Sequence, residues 1–422
     1  MNIKRFFLDN GLEVFLQEDK SFPVAVINIL YKVGSKNDPH GKKGIAHLFE
    51  HLMFCNKNTS YDYEMQQIGG TNNAYTNYDV TNYYCSIPAE NLERALWLEA
   101  DRMKELNITS ESLNIQQNVV IEELKQSYHN SPYGDVVIHL MKMLFVEGHP
   151  YHDPTIGYEE DILSVTLEDI QSFKKRYYRP DNAILVVSGN IDLATTQENI
   201  KKYFGVIDFQ LHEESCDCHG CAKAFFCKNS RLQLQSGKTA ETLKTITRNV
   251  PAEAIYCGFI TPSRIDKEFY ATAILSEMLS CGKSSLLYKT LVEKEKIFSS
   301  IELEYLDCLF SGVFIMNAFL MPGVTIEQAQ QKLTNTFHKI KEDVNDREIQ
   351  KAKNNILFSI ARQAVDIQER NDMMINFLNI HDSFEHFEER IKNTTKEETI
   401  KLIDEIFIKQ PWKIVYLKSL SQ

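Results

Sequence analysis

One stretch, Gly44-Ile45-Ala46-His47-Leu48-Phe49-Glu50-His51-Leu52, constrains this chain more than any other. On a helix, residues three and four apart are neighbours, so His47, Glu50, His51 and Phe54 are expected to share one face. Ile45, Leu48, Phe49 and Leu52 fall on the opposite face, at the spacing of a core stripe. The pattern is H-x-x-E-H. Two imidazoles one turn apart can reach the same metal ion, and a carboxylate between them can sit beside a metal-bound water. That is the minimum equipment for hydrolysing a peptide bond. The bland alternative is two surface histidines beside a solvated glutamate.

At 422 residues the chain has length for two to three domains, and 43% hydrophobic with 25% charged residues is ordinary for a globular protein. A net charge of −12 argues against nucleic acid or an anionic membrane as the main partner. No run of eighteen apolar residues occurs, so no membrane span is expected. The start, from Met1 to Asp9, has no apolar core of a secretory signal and leads into a strand pattern. The expected compartment is the cytoplasm, with a periplasmic or organellar form left open. Of nine cysteines, Cys55, Cys85, Cys257, Cys281 and Cys308 are scattered and read as small buried hydrophobes in a reducing compartment.

The first part reads as strand, strand, helix, strand, then several helices. Leu12 to Gln17 alternates as a strand, and Val24 to Val33 is a β-branched apolar run. After the motif helix, Gly69-Gly70 marks a turn, and Thr81, Tyr83, Cys85 and Ile87 line one face of a strand. Asn91 to Leu106 and Ser110 to Tyr128 are amphipathic helices. Thr166 caps another, Pro180 ends it, and Ala183 to Val187 follows as a buried strand. The second part repeats this outline. It has strands near 254–260, 301–305 and 312–320, and helices near 268–279, 284–295, 326–342, 347–363 and 397–408. Then come Pro411 and the strand Lys413 to Leu417. The same ending twice (helix, proline, apolar strand) implies an α+β fold of two homologous halves, each a mostly antiparallel sheet packed with helices. The expected divisions are residues 1–210, a linker and irregular segment over 211–249, and residues 250–422. The linker holds Cys216, Cys218, Cys221 and Cys227. Their spacing matches no standard structural zinc module, and a thiol-rich loop is the simpler reading.

An open catalytic zinc site needs a third protein ligand. The acidic pair Glu122-Glu123 offers one, Glu123 lying 72 residues after His51. On spacing alone either glutamate serves, and a solvated helix face is the plain alternative.

Several separated motifs resemble the pitrilysin/insulinase family of zinc peptidases, in its short two-domain form, like mitochondrial processing peptidase β subunits and their bacterial relatives. They are Gly41 to Phe54, Gly69 to Thr76, Asn118 to Glu123, His149-Pro150-Tyr151 through Gly157, and Tyr178 to Ala183. The second half matches in outline only. The resemblance implies two α/β-roll halves, with zinc on His47, His51 and Glu123 and Glu50 as general base. Asn73, Ala74 and Tyr75 become a substrate-binding edge strand, where an extended peptide adds as one more strand. Unfolded or short peptides are the implied substrates.

Two departures stand out. Gln116 occupies a position, seven residues before Glu123, where the family usually has a glutamate. In the second half, the family's substrate-binding arginine and tyrosine fall on Val292 and Ser299, neither of which can do that job. The implied arrangement is a heterodimer in which a related subunit without zinc supplies the missing pair, a homodimer being the alternative. Rival readings are a non-catalytic scaffold or peptide-binding subunit, and an organellar presequence peptidase β subunit.

Overall fold

In the computed structural model, which describes residues 3–55, 60–208 and 240–420, each helix–proline–strand ending builds an interior strand of its own sheet. After Pro180 the chain enters β6 (Ala183–Gly189), every residue of which is buried. It pairs parallel with β2 (Glu13–Glu18) and antiparallel with β3 (Val24–Tyr31). After Pro411 the chain enters β11 (Lys413–Ser419). It pairs parallel with β7 (Leu243–Arg248) and antiparallel with β8 (Ala254–Thr261). The first sheet runs β1-β2-β6-β3-β5-β4, adding β1 (Ile3–Phe7), β4 (Thr71–Thr76) and β5 (Thr81–Pro88). The second runs β7-β11-β8-β10-β9, adding β9 (Phe298–Leu306) and β10 (Gly312–Leu320). Apart from β1, the two orders coincide strand for strand. The fold is therefore the α+β pair of homologous halves that the repeated ending implied.

Helices cover both sheets. They are α1 (Ile45–Leu52), α2 (Tyr61–Gln67), α3 (Leu92–Lys104), α4 (Ser110–Leu124), α5 (Val136–Leu144), α6 (Glu159–Ser164), α7 (Leu167–Tyr177) and α8 (Leu193–Phe204). The second half adds α9 (Phe269–Ser280), α10 (Ile326–Asp343), α11 (Asp346–Gln363), α12 (Ile367–Asn379), α13 (Phe384–Asn393) and α14 (Lys396–Ile403). Thr166 caps α7 as expected, its hydroxyl accepting from the Asp169 N–H in a capping box. The helix expected over 284–295 closes instead in a π-helical turn, Tyr288–Lys294. The segment 211–249 ends in β7, a strand the sequence reading did not separate from the linker. The rest of that segment up to 239, with Cys216, Cys218, Cys221 and Cys227, lies outside the described residues. Among the scattered cysteines only Cys85 and Cys257 are buried. Cys55 and Cys308 are half-buried and Cys281 is exposed, so the expectation of five buried thiols does not hold.

The chain divides into two units, each holding one sheet, and each unit borrows a segment from the other half of the sequence. Gln363–Ser383 belongs with the first sheet and Lys125–Asp153 with the second. In the first unit α12 lies on β3 and β6. There Met374 and Ile375 join Phe15, Leu30, Val80, Ile184 and Val186 in one apolar cluster. In the second, α5 lies on β8 and β11. A Cβ on Gly258 would come within 2.8 Å of the Leu144 side chain, so glycine permits this approach. Among the described residues no helix is long and apolar enough to cross a membrane.

Candidate metal centre

The motif helix is fixed at its start. Gly44 precedes it with φ at +95°, and a Cβ there would lie 2.5 Å from the Ile156 carbonyl oxygen. Only glycine meets both demands. The buried Asp38 carboxylate then accepts from the N–H groups of Gly44, at 2.7 Å, and Ala46, at 3.1 Å. This satisfies two donors that a helix start leaves open and suits its dipole. Ile45, Leu48, Phe49 and Leu52 are buried, as the core stripe required. The helix stops at Leu52, so Phe54 is not on the metal-facing stripe. It lies in the following turn, against the rings of Tyr61 and Tyr83.

The opposite face of α1 meets the end of α4. His51 Nε2 lies 3.5 Å and His47 Nε2 3.8 Å from Glu123 Oε2. Among the described residues these three form the one group of histidine, cysteine or carboxylate ligands gathered within 4.8 Å. Glu122, which spacing alone left as an option, is exposed and apart from this group. Ligands on one tetrahedral zinc, at bond lengths near 2 Å, stand about 3.3 Å from each other. The observed spacings need only a small closure, and two imidazoles with one carboxylate is a donor set of hydrolytic zinc sites, so the residues fit that ion. The Glu123 side chain is 44% exposed, against 13% and 21% for the histidines, so the group opens on one side. Gln116 donates from Nε2 to Cys55 Sγ at 3.6 Å and hydrogen-bonds His51.

Burial, and then the charge of His51, push His47 down to about 4, which keeps it in the neutral form that ligates metals. Burial is the largest influence on His51 and works against its charge, but the hydrogen bond to Glu123 and the charges of Glu50 and Glu123 together outweigh it and raise this imidazole. That same bond draws Glu123 below the usual carboxylate range. Glu50 is raised, chiefly by burial, against the opposing pull of a hydrogen bond from the Thr76 hydroxyl.

Thr76 ends β4, the free edge of the first sheet. The turn bond from the Asn77 N–H to the Val80 carbonyl sets the alternation along the hairpin. Thr71, Asn73 and Tyr75 turn their backbone groups to β5, and Asn72, Ala74 and Thr76 turn theirs outward. Side chains alternate too. Thr76 reaches Glu50 on α1, so Ala74 shares the metal face, whereas Tyr75 and Asn73 point to the other face. The outward N–H of Ala74 is held by the Asn73 side-chain oxygen at 2.9 Å.

Comparison with known proteins places the chain. Residues 13–157 match the family described as insulinase (peptidase family M16), and residues 164–356 match the peptidase M16 inactive domain. The chain is 32% identical over 354 residues to the zinc protease PqqE of Helicobacter pylori, covering 82% of this chain and 77% of that protein. The chain belongs to peptidase family M16. Its fold superimposes on the crystal structure of a protease from Helicobacter pylori with a TM-score of 0.88 at 26% identity, over 99% of both chains. A probable mitochondrial-processing peptidase subunit beta of Arabidopsis thaliana is 25% identical over 201 residues, 47% of this chain and 38% of that one. The short two-domain M16 type is the one this chain has.

Within this M16 chain, sequence reasoning missed two residues. Asp38 lies seven residues ahead of Ile45, the first residue of the helix, and gives no periodic signal. Thr76 shows itself only through strand parity, once β4 is known to abut α1. In the inactive-domain half, Val292 sits in the π-helical turn and Ser299 on β9, its hydroxyl donating to the Phe319 carbonyl at 3.2 Å.

Proposed function

We propose that this chain is the zinc-bearing subunit of an M16 endopeptidase that cuts unfolded or short peptides. The reading rests on one observation: His47 Nε2 and His51 Nε2 of α1 converge on Glu123 Oε2 of α4, with Glu50 between the two histidines in the α1 sequence. These three side chains would hold the zinc. Bound there, zinc would lower the pKa of a coordinated water and polarise the scissile carbonyl. Glu50 takes the proton from the attacking water and passes it to the leaving amine. Burial favours its protonated form and so strengthens it as a base, while the Thr76 hydroxyl fixes one of its oxygens.

The substrate lies along β4 as an added strand, bonded to the outward groups of Asn72, Ala74 and Thr76. For this the peptide displaces the Asn73 side chain from the Ala74 N–H. Recognition through backbone groups suits varied sequences, and an extended segment is offered only by unfolded or short chains. Neither Val292 nor Ser299 supplies a cation or phenol, which supports a heterodimer with a related chain lacking zinc but carrying an arginine and a tyrosine. A homodimer is the other arrangement. A scaffold role would leave the four aligned groups without a use.

The test is cleavage of a quenched, unstructured peptide by the purified chain with zinc, Glu50→Gln being the blank. Hydrolysis lost in the variant supports a self-sufficient enzyme and removes the heterodimer. A folded, zinc-loaded, inactive chain that gains activity with a partner supports the heterodimer. A folded chain that takes up no zinc overturns the proposal.

A further inference from the structure

The face of β4 turned away from Glu50 carries a second set of contacts that the hydrolytic reading does not use. The Tyr75 hydroxyl donates to Asp372 Oδ1 at 3.2 Å and accepts from Asn376 Nδ2 at 3.1 Å. Asn82, on the neighbouring strand β5, donates to the same Asp372 Oδ1 at 3.0 Å. Asn376 also donates to Asp372 Oδ2 at 3.4 Å. Both acceptor and donor lie on α12, the helix that the second half of the sequence lends to this unit. That helix is anchored further along. Asn371, fully buried, donates to Ser188 Oγ at 2.9 Å on β6, and Arg370 pairs with Asp19 just beyond β2.

An edge strand is bonded on one side only, and among the described residues β4 has β5 alone. Its free side is where strands fray first. Here consecutive residues are tied to opposite layers, Tyr75 to α12 and Thr76 to Glu50 on α1. One strand thus joins the borrowed helix to the carboxylate of the motif.

We propose that Asp372 is a positioning residue for substrate binding. Through Tyr75 and Asn82 it holds β4 in the pleat that keeps the outward groups of Asn72, Ala74 and Thr76 in line for an incoming peptide. This rests on the peptidase reading for its purpose, but the clamp itself stands on separate contacts. Residues flanking α12 continue directly into α11 and α13 of the second unit. The substrate edge is therefore set by a helix whose two ends both lead into the second half.

The test uses the full chain with Asp372→Ala, Asp372→Asn and Tyr75→Phe, read by hydrogen exchange and by anisotropy of a labelled unstructured peptide in the Glu50→Gln, zinc-loaded background. Asp372→Ala is expected to speed exchange of the β4 amides by about tenfold while β1 and β2 stay unchanged. Peptide affinity should weaken by about tenfold, with zinc content constant. Asn keeps an acceptor oxygen, so Asp372→Asn should stay close to the parent. Tyr75→Phe leaves the Asn82 bond to Asp372 and should show a smaller change in the same direction, and the double variant should fall short of the sum of the two. Unchanged β4 exchange would overturn the clamp. Faster exchange with unaltered peptide affinity would overturn its role in binding. A chain with Glu50 intact that takes up no zinc and binds no peptide, yet shows the faster β4 exchange on substitution, would sink the peptidase reading and leave the clamp standing.

Discussion

The Thr76 hydroxyl donates a hydrogen bond to Glu50, and it reaches the buried carboxylate from a strand rather than from the motif helix. Replacing Thr76 with Val keeps the shape and removes the donor. A hydrogen bond to a charged group is worth about 1.5–3 kcal/mol, so kcat should fall roughly ten- to a hundredfold with zinc content unchanged. Steady-state kinetics beside metal analysis checks this. A second residue bears on acid stability. His149 is 5% exposed, stacks on Phe145 at 4.1 Å and accepts from the Tyr151 N–H at 3.1 Å. Burial, then the charge of His152, lowers it to about 4. The unfolded chain binds this proton from about pH 6.5 downwards, the folded one only near pH 4. Its contribution is thus complete above pH 6.5 and fades as pH falls towards 4, by up to about 3 kcal/mol. Urea titrations between those values should show the loss, and His149→Gln should flatten it.

The motif helix was legible at the level of the element, because its apolar stripe and its polar stripe have the same period and opposite phase. What held it was not. Asp38 caps α1 across a turn, and nothing in local pattern links residue 38 to the N–H groups of 44 and 46. Asp38→Ala should cost about 1–2 kcal/mol, seen as a lower urea midpoint with an unchanged slope. The extent of the motif face was overestimated for a related reason. Side-chain period says which residues align, but not that the helix would close at Leu52 and turn Phe54 into an aromatic corner. Strands buried on both faces, such as β6, were read from their apolar runs. β7 was not, because its residues alternate between exposed and half-buried and sit beside an irregular stretch. The edge strand β4 was recognised through its family motif alone. Its sequence, Thr-Asn-Asn-Ala-Tyr-Thr, is mostly polar and carries little strand signal by itself.

For the whole molecule, the repeat predicted two sheets of like topology, and both were found with matching strand order. The exchange of α5 and α12 between the halves left no trace in the sequence. An amphipathic helix shows that it needs a surface, not which surface. The consequence for dissection is direct. A fragment of residues 1–208 lacks α12 and one of 240–422 lacks α5, so each should be poorly folded alone. Produced together they should form a soluble complex with zinc bound to the first, a result readable by co-purification and circular dichroism.

The same exchange bears on synthesis at the ribosome. The first sheet gains its last strand at Gly189, yet the helix that covers Phe15, Leu30, Ile184 and Val186 ends at Asn379. At about 5–20 residues per second, that leaves the nascent sheet uncovered for roughly ten to forty seconds. For that interval an oily surface faces water or whatever holds it. The N-terminal half cannot finish before the C-terminal half exists, and the usual order of one domain after another gives way to a joint completion near the end of translation.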